Sequence, residues 1–580
     1  MRSASGDHRT VVIAGAGIAG MTAALYLLEA GFDVAILEKR DHVGGKFGAV
    51  RVSDATVHEH AYHFLGDWCV NLRAVMEKIG LGTPHLQPSH GVSFLRPRRH
   101  GGPLSARLAT LRLEELGTLF SENLHCGVIP PDDMMIWFYS LLELVSYGRD
   151  LDDKEFLSRI SVNGFMRSLP YMTDLAALLH QEALVKAFAI PSYETSARSY
   201  RRFARFFSRD QHGRILKKAV DVDFWPAFKT GLRKHKREDG PGDDGPDWPI
   251  LYNTSLEEIE VKYRGERPRV SRIYVNRRGV VERWDGVDHL LITVPHLDLA
   301  SIVERSPTLR GAAPALLELR KLKSRQMASL DVYFRRPLAG IPREHVTLID
   351  DSPFTEPGEV AAGRRRARSA TDPRKVTLAT YGNRLGSRFA LSFVDNYQAW
   401  HGGGRDKTWL NVVAADFEEL EKLGKDEAAR EMLKELAEYV TFAPSDIEWD
   451  RTDLQLNDDA PLFTNTVGSW QYRPECGAYS DRSRSAPFEN LYLAGDYCRS
   501  PVDVVCLEGA VFTARVAARA IAERAGRPDS VSEPDVPAEV SLQKVERLKQ
   551  ELEPWLRLAA SRSFGARERL GLASGGPGLE

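Results

Sequence analysis

The stretch VVIAGAGIAGMTAALYLLEAGFDVAILEKR, Val11 to Arg40, opens with eighteen uncharged residues that end at Leu28. Three structures begin this way. A membrane helix needs about 20 apolar residues. A secretory signal has a basic start, here Arg2, His8 and Arg9, then an apolar run and a small-residue cleavage site. The third candidate is the first turn of a dinucleotide-binding domain, and the glycines favour it. Gly15, Gly17 and Gly20 are spaced G-x-G-x-x-G, where β-rich Val11-Val12-Ile13 gives way to a helix-like run from Met21 to Ala30. Gly31 ends that run, Asp33 to Leu37 reads as a second strand, and Glu38 closes it. Gly15 permits the tight turn, Gly17 admits a pyrophosphate close to the backbone, and Gly20 lets helix and strand pack. The helix N-terminus faces the phosphate charge, and Glu38 binds ribose hydroxyls. The apolar run is then a buried parallel strand and helix rather than a membrane span. With no targeting segment left, the expected location is cytoplasmic, with attachment to the inner membrane surface left open.

Composition agrees with a globular protein. The chain has 580 residues, 43 % hydrophobic and 27 % charged, enough for more than one structural unit. A formal net charge of -2 supplies no field for nucleic acid, and none is expected as a partner. Five cysteines, odd in number and without metal-type spacing, suit a reducing compartment.

After Glu38 the sequence continues KRDHVGGKFGAV, with the pair Gly44-Gly45 flanked by basic Lys39 and Lys46. Far downstream, NLYLAGDYCRSPVDVVCLEGAVFTARVAARAIAERAG (Asn490 to Gly526) reads as a buried strand, a Gly495-Asp496 turn, and a helix from Leu507 to Arg524. Together these segments resemble the FAD-binding signature of the flavin amine oxidase and carotenoid desaturase superfamily. That resemblance implies FAD as cofactor, bound by Gly15, Gly17, Gly20, Glu38, Lys39, Gly44, Gly45 and Lys46 at one end of the chain. At the other end it implies Gly495, Asp496, Glu508, Gly509 and Ala510. Asp496 would meet the sugar-alcohol or pyrophosphate part. The Glu508-Gly509-Ala510 helix start would aim backbone N–H groups at the flavin pyrimidine, where a helix N-terminus favours negative charge.

The expected fold is α/β: a discontinuous Rossmann-like FAD-binding domain (10–100, 250–300 and 480–526) with an inserted mixed α+β substrate domain (101–249 and 301–473). A linker and helical tail follow (527–580). Arg269 to His296 alternates like a hairpin with Arg278-Gly279 as its turn, and HLLITVP reads as a buried strand, which the resemblance implies returns the chain to the FAD domain. Lys234–Trp248 and Ala361–Lys375 read as charged loops. Asp132–Gly148 is too short in its apolar part to span a bilayer. Arg198, Arg201, Arg202 and Arg205 alternate with aromatic residues at helical spacing, either as a lipid-gripping face or as a solvated one. The tail is amphipathic, is expected to break at Pro554, and docks either on the body or on a membrane.

HEHAYHFLGDWCVNLRAVMEKIGL, His58 to Leu81, lies nearest the chemistry. Its H-x-H-x-x-H spacing suits no single helix or strand face, so no metal is expected. Plant-type phytoene and ζ-carotene desaturases are similar here: Glu59, His63, Gly66, Trp68, Asn71 and Leu72 follow their order. Gly66 and Trp68 sit one residue early, and Ala61 replaces a glycine. Bacterial squalene-pathway flavoenzymes share much of the segment. The resemblance implies an FAD-dependent oxidoreductase removing hydride from an apolar, isoprenoid-type substrate (carotenoid or squalene-pathway), with quinone or oxygen as electron acceptor. His63 and Tyr62 are the candidate proton handlers, and Arg473 a candidate for the pocket floor. Two other readings stay open. One is a flavin amine or amino-acid oxidase using Trp470, Tyr472 and Arg473. The other is a non-catalytic prenyl-binding protein, as in the Rab escort family.

Overall fold

The computed structural model describes residues 10–569 except 54–55, 60, 62, 90–91, 96, 99–105, 109–130, 149–152, 210–212, 237–247, 344, 349–386, 401–405, 457–460 and 484–485. The chain forms two compact units. The first comprises 1–88, 214–329 and 455–537, and the second 89–213, 330–454 and 538–580. The middle segment of the first unit is thus longer than the expected 250–300. Residues 538–569 belong to the second unit rather than to a separate tail. His60, Tyr62, Cys126, the Ala361–Lys375 loop and most of the Lys234–Trp248 loop lie outside the described residues.

The first unit is built on the opening stretch. Strand β1 (Thr10–Ala14), helix α1 (Ile18–Glu29) and β2 (Asp33–Leu37) follow the glycine spacing. Nearly all of α1 is buried, so its uncharged run is interior and not a membrane span. The chain returns to this sheet through β3 (Ile250–Leu251), β7 (His289–Ile292), β8 (Gly477–Ala478) and β9 (Leu491–Leu493). The order is β3-β2-β1-β7-β9-β8, parallel except for β8 against β9. Before β7 comes a meander, β4 (Thr254–Arg264), β5 (Arg267–Arg277) and β6 (Val280–Asp285). Its β5–β6 turn places both Arg278 and Gly279 at positive φ, the two-residue turn whose twist suits a hairpin. Ile259, Val270 and Ile273 of the meander share a core with Val12, Leu290 and Leu493 of the sheet. Helix α2 (Val70–Lys78) and the unit's last long helix, α3 (Leu507–Arg524), also belong here. Helix α3 lies beside the first helix, α1.

The second unit holds a seven-stranded sheet that includes Ala328–Phe334, Leu391–Asp395 and Thr408–Ala414. Its helical part joins Pro131–Ser146, Asp174–Phe188, Ala197–Phe207 and Leu542–Arg569. Two expectations are corrected here. Pro554 does not break the last helix, which runs continuously through it. The carbonyl that Pro554 leaves without a donor belongs to Gln550, and both residues are exposed, so it is open to solvent. The tail docks on the unit itself: Val545, Leu556 and Ala559 enter its core, and Lys549 pairs with Glu143 at 2.9 Å. Nor do the arginines of Ala197–Phe207 form a free lipid-gripping face. Arg201 and Arg205 are buried and donate to the carbonyls of Tyr147 (2.6 Å) and Val145 (2.8 Å) at the end of helix Pro131–Ser146, where the helix dipole favours cations. Arg202 and Arg205 also pair with Glu539. Among the described residues no helix is long and apolar enough to cross a membrane.

Candidate active site

The site is built where β1 hands over to α1. A Cβ on Gly20 would overlap the Gly15 carbonyl oxygen, so the helix can sit on the turn only with glycine there. Thr293, just past β7, donates its hydroxyl to the carbonyls of Ala14 (2.8 Å) and Gly15 (3.1 Å) and fixes the turn. Gly17 is different. Its φ is -75°, and among the described residues beyond its own turn the atom nearest to an added Cβ would be Gly44 O at 3.9 Å. Protein packing does not demand glycine at 17; the missing side chain leaves open the approach to the N-terminus of α1. No side chain caps that terminus, and its first turn holds no acidic residue. Uncapped N–H groups, positive dipole and clear approach together fit a pyrophosphate.

The remaining candidates gather around it. The carboxylate of Glu38 is buried and accepts from Ala16 N (2.8 Å) and Arg40 N (2.9 Å), which aims it at the end of β2. Gly44 bridges to Gly17 and donates to Ala16 O at 3.0 Å, so the second glycine pair abuts the first turn. Lys46 Nζ meets Asp496 Oδ2 at 2.7 Å, joining residues 450 positions apart. Gly495 N donates to Thr513 Oγ1 at 3.0 Å, tying the Gly495-Asp496 turn to α3. At the start of α3, Cys506 Sγ accepts from Gly509 N at 3.4 Å, and the Ala510 side chain is buried. Lys39 does not join the group: it forms an exposed pair with Asp298 at 3.3 Å. Glu508 is also turned away, because its fully buried carboxylate caps α2 through Asn71 N and Leu72 N, both at 2.9 Å.

His63 Nδ1 lies 3.4 Å from Glu59 Oε2, and Glu59 Oε1 accepts from Val220 N at 2.7 Å. The imidazole packs edge-on to Phe47 at 4.5 Å; Phe224 and Trp225 continue this aromatic wall. Gly66 is required by Trp68, whose indole occupies the place of a Cβ. Arg473 is a correction. Only 2 % of it is exposed, and its guanidinium is committed to one loop. It pairs with Asp503 at 2.5 Å and donates to the carbonyls of Tyr497 (3.0 Å) and Cys498 (2.6 Å). No fork is left for a substrate carboxylate. Nor are Trp470 and Tyr472 a bare aromatic pair: Arg473 and Arg499 lie over Trp470, and Lys321 over Tyr472.

Sequence reasoning missed His296. It opens the helix after β7, and burial first, then Lys46, hold it neutral with its pKa lowered to about 4. Its signal was position: ligands of parallel sheets bind beyond the carboxyl ends of strands. The four described cysteines are free; burial pushes the thiols of Cys476 and Cys506 up to about 12 and those of Cys69 and Cys498 higher than their ordinary value, so none is poised as a nucleophile.

A glycine turn under an uncapped helix, a ribose-directed acid and a second glycine pair define a dinucleotide-binding protein of the doubly wound class. Comparison with known proteins narrows it. Residues 13–78 match the NAD(P)-binding Rossmann-like domain, and 244–522 the flavin containing amine oxidoreductase family. The chain is 23 % identical to 15-cis-phytoene desaturase of Synechococcus elongatus over 538 residues, 90 % of this chain and 99 % of the other. It is equally similar, 23 % over 529 residues, to the chloroplastic/chromoplastic 15-cis-phytoene desaturase of Solanum lycopersicum, covering 88 % and 77 %. Cyclohexylamine oxidase from Brevibacterium oxydans IH-35A shares the fold: TM-score 0.54, 16 % identity, 89 % of this chain and 99 % of that one. The chain is thus similar to flavin amine oxidases and carotenoid desaturases. It is an oxidoreductase with FAD as cofactor.

Proposed function

We propose that the chain removes hydride from an apolar, isoprenoid-type substrate of the carotenoid or squalene-pathway class and passes the electrons to a quinone or oxygen. The N-terminus of α1 would hold the FAD pyrophosphate across Gly17, with Lys46 as counter-charge. Glu38 would accept the ribose hydroxyls, and Asp496 those of the sugar alcohol. FAD, when bound, supplies the two-electron acceptor. His63, with Nδ1 turned to Glu59, keeps Nε2 to take a proton from the substrate, and the wall of Phe47, Phe224 and Trp225 keeps water away. Tyr62 is proposed only as a second proton handler. The observation that supports this substrate class is the likeness to 15-cis-phytoene desaturases along 90 % of the chain; the commitment of Arg473 to Asp503 speaks further against that residue as receiver of an amino-acid carboxylate.

A simple amine needs no such receiver, and the fold shared with cyclohexylamine oxidase keeps that second reading. Anaerobic bleaching of the flavin band near about 450 nm separates the two. Detergent-solubilised isoprenoids and a panel of amines are offered in parallel. Bleaching by an isoprenoid alone supports the proposal; bleaching by an amine alone refutes it.

A further inference from the structure

Two helix N-termini converge on one buried carboxylate. Glu508 lies in the first turn of α3. Its Oε1 accepts from Asn71 N (2.9 Å) and Asn71 Nδ2 (2.6 Å), and its Oε2 from Leu72 N (2.9 Å), in the first turn of α2. All three partners are N–H donors, so the carboxyl acts only as an acceptor, which is the role of the ionised form. Burial holds its pKa above the ordinary carboxylate value, and the Asn71 and Leu72 donors and the charge of Arg515 oppose that in part.

A cation stands behind Asn71. Arg515 Nη1 donates to Asn71 Oδ1 at 2.5 Å, and its Nη2 holds Ser532 Oγ (3.0 Å) and the Glu533 carbonyl (2.7 Å). The backbone of Asp535 closes round Asn71, donating to Oδ1 at 3.0 Å and accepting from Nδ2 at 2.7 Å. Asn71 therefore has every side-chain hydrogen-bonding direction in use and spaces a buried anion from a buried cation.

The electrostatic consequence rests on the FAD reading above, in which the first turn of α3 faces the flavin pyrimidine. Two-electron reduction places negative charge at that end. A carboxylate in the same turn opposes it, whereas the amides of α2 and the guanidinium of Arg515 offset the carboxylate. We infer that Glu508 and Arg515 set the reduction potential of the bound flavin, Glu508 lowering it and Arg515 raising it, with Asn71 as the positioning residue between them.

The test is the midpoint potential of the FAD-loaded full chain, read against a reference dye, for wild type, Glu508→Gln, Arg515→Gln and Arg515→Lys. At fixed dye potential the ratio of reduced to oxidised flavin should rise about tenfold in Glu508→Gln, as for a unit charge about 10 Å away at an effective dielectric of about 20. It should fall in Arg515→Gln and stay near wild type in Arg515→Lys. A purely structural node would loosen FAD in both neutral variants and leave the potentials unchanged or shifted in one common direction, which overturns the inference. If Glu508→Gln does not fold, the arginine pair decides: a drop in Arg515→Gln that Arg515→Lys restores supports it, and equal potentials overturn it. A wild-type chain with no flavin absorbance after FAD addition overturns the cofactor reading itself, and is seen before any potential is measured.

Discussion

In the first unit one set of buried polar groups is ionic, whereas the cluster of Ser140, His180 and Tyr200 in the helical core of the second is neutral. In the first, Glu508, Arg515, Arg473 and Asp503 are all at least nine-tenths buried and paired across long stretches of sequence. In the second, His180 accepts from or donates to Ser140 Oγ (2.8 Å) and Tyr200 Oη (3.1 Å), and burial drives its pKa down to about 3. Charge is costly to bury and persists where partners hold it. Here it persists around the segments proposed to hold a charged cofactor and, in the second unit, where Arg201 and Arg205 clamp a helix end. The helical body, by contrast, carries Ser140, His180 and Tyr200 without charge among Phe138, Leu141 and Leu184 of its packed core.

Breaking an ionic tie should have the largest effect. Arg473→Leu leaves Asp503 buried without its cation, and denaturant unfolding should show a loss of about 3–5 kcal/mol. A loss under 1 kcal/mol, on the order of a surface pair, would place that tie with the exposed ones.

The neutral node should answer to acid instead. His180 has a folded pKa far below its unfolded value of about 6.5, so the unfolded chain takes up the proton first. Stability is then complete above about pH 6.5 and falls as pH drops toward about 3, by about 3 kcal/mol at pH 4. His180→Asn should flatten that part of a stability-versus-pH curve; an unchanged slope would assign it to other groups, His296 among them.

Smaller effects sharpen the contrast between structural and cofactor-directed charge. Lys46 and Asp496 are partly exposed, so Lys46→Met should change thermal stability by less than about 1 kcal/mol while weakening FAD binding in a fluorescence titration. Lys39→Ala should alter neither stability, beyond about 0.5 kcal/mol, nor FAD affinity.

Local chemistry explains what was legible in the sequence. The glycine turn, both ends of α3 and the Arg278-Gly279 hairpin turn follow from backbone requirements that neighbouring residues express. The meeting of Lys46 and Asp496 followed from a motif carried at both ends of the chain. The roles of Glu508, Arg473 and Lys39 were not legible, because a side chain's direction depends on partners outside its local segment, such as Asn71 for Glu508 and Asp503 for Arg473. The alternation of arginine and aromatic residues in Ala197–Phe207 fits a lipid face and a helix-end clamp equally well; only the carbonyls of Val145 and Tyr147 distinguish them. Pro554 signals a break only if the freed carbonyl lacks water, and exposure is not written in local sequence.

The most direct test of the cofactor site is Gly17→Ala, with thermal unfolding and FAD titration measured on the same protein. The backbone at 17 accepts a side chain, and among the described residues beyond its own turn the atom nearest the added carbon is Gly44 O at 3.9 Å. The variant should fold with an unchanged unfolding midpoint and lose FAD affinity by about tenfold or more, the methyl standing where the pyrophosphate approaches. Wild-type affinity in a stable Gly17→Ala protein would contradict the placement of FAD over this turn.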